Sequence, residues 1–229
     1  MKSVAKTILI IFSFIFLTNY AWADAKSDIY SKFRDRRCSI PLDKCDCPDA
    51  REMKAYIDAL IETGIAEDEI LYKVAKKFSL KTIIDEQIRS NVENRLIKEV
   101  GEKRPQITVE PATFNFGKIS KKQEKINKAF KLYNKGKSDL IITNLKTSCG
   151  CTSISLKSGK SKSSYFGVTG SGSGWQEIIK PGKFGELEVV LDLNHASMAA
   201  GKQIREVFIS SNDPLYPQVN IIVEVEVIE

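Results

Sequence analysis

The sequence predicts an α+β protein of two domains, in which a small N-terminal three-helix bundle precedes a C-terminal antiparallel, immunoglobulin-like β-sandwich. Between Pro48 and Val100 the apolar residues recur at helical spacing, whereas from Ile107 onward they alternate with polar residues. The segment between these patterns is polar and contains Pro105, which indicates a linker. The predicted organisation is a signal peptide at residues 1–23, a helical domain at 24–100, a linker at 101–106 and a β-sandwich at 107–229.

Three segments of the N-terminal half carry an apolar stripe that suits one face of a helix. Pro48 is well placed at the first position of a helix, and Gly64 is a typical stop signal. The short connections between the segments favour antiparallel neighbours. The predicted helices run from Pro48 to Gly64, from about Ala66 to Phe78 and from Thr82 to Val100.

The C-terminal half contains about seven short runs of alternating apolar residues, punctuated by turn signals. This number of strands over some 120 residues is typical of an immunoglobulin-like sandwich. A stretch rich in Ser, Gly and Lys, from Lys157 to Trp175, interrupts the pattern and is expected to be a surface loop with a few apolar anchors. The turn signals lie at Glu110-Pro111, Asn134–Gly136, Pro181-Gly182 and Asn212–Pro214.

The first 23 residues have the layout of a cleaved secretory signal peptide. A basic start is followed by an apolar run from Ile8 to Leu17, and then by the small residues Ala21 and Ala23 around the expected cleavage point. An uncleaved anchor is the alternative, but the apolar run is about half of the roughly 20 residues that cross a bilayer. We therefore expect a periplasmic or secreted protein with no stable membrane span after cleavage.

Composition excludes several classes of function. The formal net charge is +6, but the basic residues are scattered among acids, so no nucleic-acid partner is expected. His195 is the single histidine, which excludes a multi-histidine metal site, and as a lone residue in a turn it is expected to be solvated or capping. No CxxCH motif allows covalent haem attachment, and residues 170–174 lack the context of a phosphate-binding loop. No cofactor is expected, and whether the protein is an enzyme stays open.

The five cysteines carry the most chemical information. Five thiols allow at most two disulfides within one chain, so one is free, metal-bound or paired with another chain. Gly150 would let the two flanking sulfurs meet, and a bond across one residue departs from ordinary disulfide geometry, so it should be easy to reduce. Structural bonding, reduced packing and thiolate metal binding are the alternatives. The candidate redox thiols are Cys38, Cys45, Cys47, Cys149 and Cys151.

The helical half resembles the CcmH family, periplasmic three-helix thiol proteins of cytochrome c maturation. The resemblance covers roughly residues 30–85 and rests on Arg37-Cys38, the segment Cys45–Met53 and the helical phrase Met53–Gly64. It implies a redox pair just before the first helix, which in that family has the form RCxxCQ. In this sequence six residues separate the first two cysteines, and the second and third form a CxC pair.

The C-terminal half resembles a bacterial immunoglobulin-like family classed as a domain of unknown function, numbered 1573 and related to Hydin-type domains. The resemblance runs over nearly all of residues 107–229 and depends on FNFG at 114–117, SCGCT at 148–152 and SNDP at 211–214, in that order. It implies the sandwich fold and an extracytoplasmic setting, and it supplies no settled activity.

The leading functional hypothesis is an exported accessory protein of thiol–disulfide exchange or c-type cytochrome maturation with a protein partner. In it, a free bundle thiol attacks a substrate disulfide, a neighbouring cysteine resolves the mixed disulfide, and the sandwich docks the partner. One alternative is a non-catalytic binding or scaffold protein with structural disulfides. A second is a thiolate metal carrier, in which the bundle cysteines and one from the sandwich complete a four-ligand shell.

Overall fold

The computed structural model describes residues 26–36 and 40–229. The chain divides into two compact units, Met1–Arg95 and Leu96–Glu229, called unit 1 and unit 2 below. The predicted signal peptide and Cys38 lie outside the described residues. Among the residues described, no helix combines the length and apolar character that a membrane crossing requires.

The described part of the N-terminal half contains four α-helical segments, so the prediction of three helices needs correction. The additional segment includes residues 26–31, and these few residues show no apolar period in the sequence. Short 3₁₀ turns lie at Leu42–Lys44 and Leu80–Thr82. The α-helices are α1 (residues 26–31), α2 (Pro48–Glu62), α3 (Glu67–Phe78) and α4 (Glu86–Val100).

Helix α2 begins where the sequence predicts, because its first turn is capped. Pro48 is the first helical residue, and the sulfur of Cys47 accepts a hydrogen bond from the backbone N–H of Ala50 at 3.4 Å. Gly64 follows the helix with φ of 71°, a conformation that suits glycine, and ends it. The cap places one thiol of the CxC pair at a helix N-terminus.

Helix α4 starts four residues later than the predicted Thr82. Residues 83 and 84 instead pair with the segment after α1: Ile83 bridges Phe33, and the N–H of Ile84 donates to the carbonyl of Lys32 at 2.9 Å. Asp85 then caps the helix, since its carboxylate accepts from the N–H of Ile88 at 2.8 Å. Strand-like pairing with a distant segment therefore replaces the first predicted turn.

Unit 2, all of whose residues are described, is a two-layer β-sandwich of ten strands. One sheet has the order β1-β3-β8-β5-β6 and the other β2-β10-β9-β4-β7. A 3₁₀ turn at Lys121–Gln123 joins β2 to β3. The strands are β1 (Ile107–Glu110), β2 (Thr113–Ser120), β3 (Lys125–Asn134), β4 (Leu140–Thr147), β5 (Thr152–Ser158), β6 (Ser161–Lys162), β7 (Glu177–Ile179), β8 (Phe184–Asp192), β9 (Gly201–Ser211) and β10 (Gln218–Ile228).

The sandwich is not purely antiparallel, which corrects the predicted fold class. β1 pairs antiparallel with β3, and the chain then crosses to the other sheet, where β2 runs parallel to β10. Pro111 lies at this crossing, where a turn is predicted, and it has no N–H to continue a strand ladder. The strands that the alternating pattern did not predict are β5, β6 and β7, and they raise the count from about seven to ten.

The core of unit 2 lies between the sheets and follows the predicted alternation. On β8, Leu187, Val189 and Leu191 are fully buried, and their polar neighbours face outward. The predicted loop from Lys157 to Trp175 begins with the end of β5 and contains β6, so its irregular part is shorter than expected. Apolar anchors hold the rest against this core, as expected. Phe166 bridges Ile154 on β5, and its ring meets that of Trp175 with 5.1 Å between centroids.

Candidate functional site

Two connections between the sheets meet at one end of the sandwich. Residues 148–151 lead from β4 in one sheet to β5 in the other, and residues 193–200 lead back from β8 to β9. The N–H of Asp192 donates to the carbonyl of Cys151 at 2.8 Å, which fixes the two connections against each other. Side chains from segments some 45 residues apart are thereby brought to one surface.

The first connection carries a disulfide between Cys149 and Cys151. Its two sulfurs differ in access, because Cys149 is half-buried while Cys151 is only 1% exposed. The hydroxyl group of Thr147 stabilises the turn, because it donates a shared hydrogen bond to the carbonyls of Cys149 and Thr152, at 3.1 and 3.0 Å. An incoming nucleophile can therefore reach the sulfur of Cys149 more readily than that of Cys151.

The second connection places a hydroxyl and an imidazole beside the accessible sulfur. Ser197 Oγ lies 2.9 Å from Cys149 Sγ and 2.8 Å from His195 Nδ1. His195 Nδ1 also accepts the backbone N–H of Ser197 at 3.2 Å, which leaves the other ring nitrogen to carry the proton. The three groups form a short path along which a proton can pass between the sulfur and the imidazole.

Arg205, on β9, contacts the buried sulfur. Its Nε donates to Cys151 Sγ at 2.9 Å, and its Nη2 donates to the carbonyl of Ser197 and to the side chain of Gln203, each at 2.9 Å. Burial lowers the pKa of the guanidinium from its ordinary value. Arginine nonetheless remains charged, so this contact stabilises negative charge on the sulfur if the disulfide opens.

A second thiol cluster lies in unit 1. Cys45 Sγ is 3.5 Å from Cys47 Sγ, which is in turn 3.3 Å from Asp35 Oδ2. Cys45 and Asp35 are buried, and Cys47 is half-buried. Burial raises the pKa of the Cys47 thiol; the N–H of Ala50 opposes this, and Cys45 and Asp35 reinforce it.

The structure thus brings together four of the five candidate thiols, in two pairs, and adds partners that the sequence analysis missed. Cys149 and Cys151 are bonded, and Cys45 and Cys47 are neighbours. Local spacing carries no signal for the missed residues, because they lie on other segments of the chain than the cysteines they contact. The connection from β8 to β9, and β9 itself, supply three of them to the sandwich cysteines, and the segment after α1 supplies the fourth to the bundle cysteines. Those residues are Asp35, His195, Ser197 and Arg205, of which His195 was expected to be merely solvated or capping.

Comparison with known proteins supports the family resemblance for the first part of the sandwich. Residues 107–163 match the family described as protein of unknown function DUF1573. The matched segment contains the Cys149–Cys151 disulfide, so that part of the candidate site belongs to the DUF1573 region. No curated protein matches the chain.

Similar solved structures cover about half of this chain. A protein of unknown function from Porphyromonas gingivalis W83 is 16% identical over 55% of this chain and 49% of that one, with a TM-score of 0.40. The YadV chaperone is 10% identical over 54% and 52%, with a TM-score of 0.35. A PapD-like domain of human CEP192 is 10% identical over 56% and 89%, with a TM-score of 0.34. The present chain therefore spans about half the length of the Porphyromonas protein.

Proposed function

We propose that this protein is an extracytoplasmic thiol–disulfide exchange protein that acts through Cys149 and Cys151. The observation that carries the proposal is the unequal setting of the two sulfurs. The accessible one lies beside a serine–histidine pair, whereas the buried one accepts a hydrogen bond from the guanidinium of Arg205. A purely structural disulfide needs neither a proton path nor a positive charge.

The first step is attack by a partner thiolate on Cys149 Sγ. A bond forms between the partner sulfur and Cys149 as the Cys149–Cys151 bond breaks, and the bonding electron pair leaves on Cys151 Sγ. The guanidinium of Arg205 is already placed to stabilise this thiolate. The products are a mixed disulfide at the accessible position and a thiolate at the buried one.

The second step releases the partner. A second thiol of the partner gives its proton to the His195–Ser197 pair and attacks the partner sulfur that is bonded to Cys149. The bond between that sulfur and Cys149 breaks, and Cys149 Sγ takes a proton from Ser197 Oγ. Two electrons have then passed from the partner dithiol to the Cys149–Cys151 pair, and the partner carries the new disulfide. The reverse sequence, starting from the reduced pair, reduces a partner disulfide.

This proposal places the reactive cysteines in the sandwich, whereas the hypothesis drawn from the sequence placed the attacking thiol in the helical bundle. That hypothesis gave the attacking thiol to the bundle, but Cys45 is buried and Cys38 lies outside the described residues. Cys47 is half-buried, and burial raises the pKa of its thiol, which lowers the fraction present as the attacking thiolate. The CcmH resemblance of residues 30–85 supports a narrower version, in which the partner belongs to c-type cytochrome maturation. The predicted signal peptide supports an extracytoplasmic site of action, where protein disulfides persist.

The decisive experiment traps the mixed disulfide with glutathione disulfide as the probe. In the Cys151→Ser variant, Cys149 has no resolving neighbour, so we expect a stable glutathione adduct on Cys149, which peptide mass spectrometry separates from any adduct on the bundle cysteines. Of the sandwich pair, the matched Cys149→Ser variant keeps only the buried sulfur of Cys151, and we expect the adduct on Cys151 to form far more slowly.

A redox titration of the unaltered protein distinguishes exchange from a purely structural disulfide. Structural disulfides in exported proteins have reduction potentials below about −300 mV. We expect the Cys149–Cys151 pair to titrate above that value, because Arg205 stabilises its reduced form. A pair that stays oxidised throughout a glutathione buffer series, together with equal labelling of the two variants, would refute exchange and favour the scaffold alternative.

A further inference from the structure

The cluster of Asp35, Cys45 and Cys47 in unit 1 has the composition of a metal site. It offers two sulfurs and one carboxylate oxygen, and these three atoms all lie within 4.8 Å of one another. Asp35 is 1% exposed and Cys45 is 5% exposed, so two of the three donors are withdrawn from bulk water.

Each donor is held in place by backbone structure. The N–H of Asp35 donates to the carbonyl of Ile40 at 2.8 Å. Cys45 ends the 3₁₀ turn at Leu42–Lys44, and Cys47 caps α2. Three local structures therefore converge on one point, and the donors are preorganised before any ion arrives.

The distances between the donors match tetrahedral zinc. With Zn–S bonds of about 2.3 Å and Zn–O bonds of about 2.1 Å, a tetrahedral site separates two sulfurs by about 3.8 Å and a sulfur from an oxygen by about 3.6 Å. The observed separations are 3.5 Å between the sulfurs and 3.3 Å between Cys47 Sγ and Asp35 Oδ2. The third separation, between Cys45 Sγ and the Asp35 carboxylate, is at most 4.8 Å. The donors therefore reach the tetrahedral distances by movements of no more than about 1 Å.

We propose that Asp35, Cys45 and Cys47 bind a zinc ion, with a water molecule at the fourth position. The mixed donor set selects the metal: two thiolates suit zinc and copper(I), but a carboxylate suits zinc and is a poor ligand for copper(I). Magnesium and calcium prefer oxygen ligands alone. Binding releases the thiol protons and replaces them by one dication, so the cluster goes from two thiols and a carboxylate to a zinc complex of charge −1.

Nearby charged side chains are consistent with a zinc complex of charge −1. Lys54 Nζ donates to the carbonyl of Cys45 at 2.7 Å, which puts a positive charge beside the cluster. Asp46, between the two cysteines in sequence, is exposed and lies 3.6 Å from Arg51. The site therefore uses a carboxylate from a different segment in preference to its nearest neighbour in sequence.

This assignment differs from the carrier hypothesis drawn from the sequence, which filled the shell with sulfurs from both halves. It is also independent of exchange at Cys149 and Cys151, since it uses none of those atoms. The ion would connect the segment containing Asp35 to the start of α2, so zinc should stabilise unit 1.

The test uses the full chain with Cys149 and Cys151 both replaced by serine, which removes the sandwich thiols from the readout. After reduction and addition of zinc sulfate, we expect one zinc per chain. X-ray absorption at the zinc edge should show two sulfurs at about 2.3 Å and oxygen ligands at about 2.0–2.2 Å. Cobalt substitution should give the strong visible bands of a tetrahedral thiolate site. No binding, three or more sulfur ligands, or an octahedral cobalt spectrum would each overturn the proposal.

Matched variants test the carboxylate. Loss of an outer-shell partner weakens metal binding by about 10–100-fold, so Asp35→Asn, which removes a direct ligand, should weaken zinc binding by more than about 100-fold. Asp46→Asn should leave it unchanged. Copper(I) binding that Asp35→Asn leaves intact, with no zinc binding in either form, would contradict the assignment. The absorption spectrum of the parent protein decides the ligand set even if Asp35→Asn fails to fold.

Discussion

Arg205 Nε donates a hydrogen bond to the sulfur of Cys151 at 2.9 Å. The rest of the guanidinium is held by the carbonyls of Ser197 and Ile204 and by the side chain of Gln203. These contacts fix the planar group, so its orientation toward the sulfur does not depend on the redox state of the disulfide. The arrangement therefore places a positive charge beside Cys151 Sγ, the leaving group of the exchange reaction, before a partner binds.

Removing this charge should make the disulfide harder to reduce. A hydrogen bond to a charged group contributes about 1.5–3 kcal/mol, and the low end applies to a half-buried side chain. Since about 1.4 kcal/mol corresponds to about 30 mV for a two-electron couple, we expect Arg205→Met to shift the reduction potential about 30 mV more negative. Thiol labelling in a glutathione buffer series measures the shift. Lys202→Met removes an exposed charge from the same strand and should change nothing.

The serine–histidine pair should affect the rate of exchange and leave its equilibrium unaltered. A proton path stabilises neither the oxidised nor the reduced pair, so Ser197→Ala and His195→Asn should retain the parent potential. General acid–base groups contribute about 10²–10⁴-fold; water competes at this exposed site, so we expect a loss near 10²-fold at neutral pH. Stopped-flow reduction by a small dithiol measures the rate. If Asn194→Ala, in the same connection, slows exchange as much, the path plays no part.

The sequence predicts the sandwich from features that are local along the chain. Leu187, Val189 and Leu191 alternate because a strand with one buried face must alternate, and all three are fully buried. The pairing of strands is not local: nothing in the period of β2 indicates that it runs parallel to β10. The same limit explains α4, where pairing of Ile83 with Phe33 displaces a helical turn that the apolar period alone predicts.

The candidate site also has a part that is local in sequence and a part that depends on strand pairing. Cys149 and Cys151 are two residues apart, so their pairing can be considered from sequence alone. His195 and Arg205 reach them because β8 and β9 lie in different sheets and their connection crosses the end of the sandwich. A lone histidine in a turn is usually solvated, and only the 2.8 Å contact with Ser197 distinguishes this one.

Asn134, at the end of β3, should be essential for the stability of unit 2. The side chain is fully buried, and its Oδ1 accepts from the N–H groups of Gln106 and Gly136 at 3.3 and 2.9 Å. Its Nδ2 donates to the carbonyls of Ser138 and Ile179 at 2.8 and 2.9 Å. Each buried polar group left without a partner costs about 1–3 kcal/mol, so Asn134→Ala should lower the free energy of unfolding by about 3 kcal/mol or more.

The control for this change is Asn127→Ala, an exposed asparagine on the same strand, which should stay within about 0.5 kcal/mol of the parent. In a chain without residues 1–23, Trp175 is the single tryptophan, so its fluorescence during urea denaturation reports on unit 2. Equal stability of the two variants would contradict the role assigned to the buried amide.

Glu188, on β8, should hold the Lys157 to Trp175 loop in a pH-dependent way. Its carboxylate accepts from the hydroxyl of Tyr165 at 2.6 Å and from Lys162 at 3.0 Å, and these contacts, the tyrosine first, lower its pKa. A carboxyl group with a lowered folded-state pKa stabilises the fold above its unfolded pKa of about 4.3 and loses that contribution as the pH falls through the folded value.

Limited proteolysis of the loop between pH 3 and 7 tests this linkage. Cleavage of the parent protein should accelerate as the pH falls below about 4.3, once the rate is corrected with an unstructured peptide of the same sequence. Glu188→Gln should be cleaved faster at neutral pH and lose the acid-dependent increase, because its amide does not titrate. Tyr165→Phe removes the larger cause of the pKa shift and should fall between the two. A parent protein whose corrected cleavage rate is flat across this range would show that Glu188 does not hold the loop.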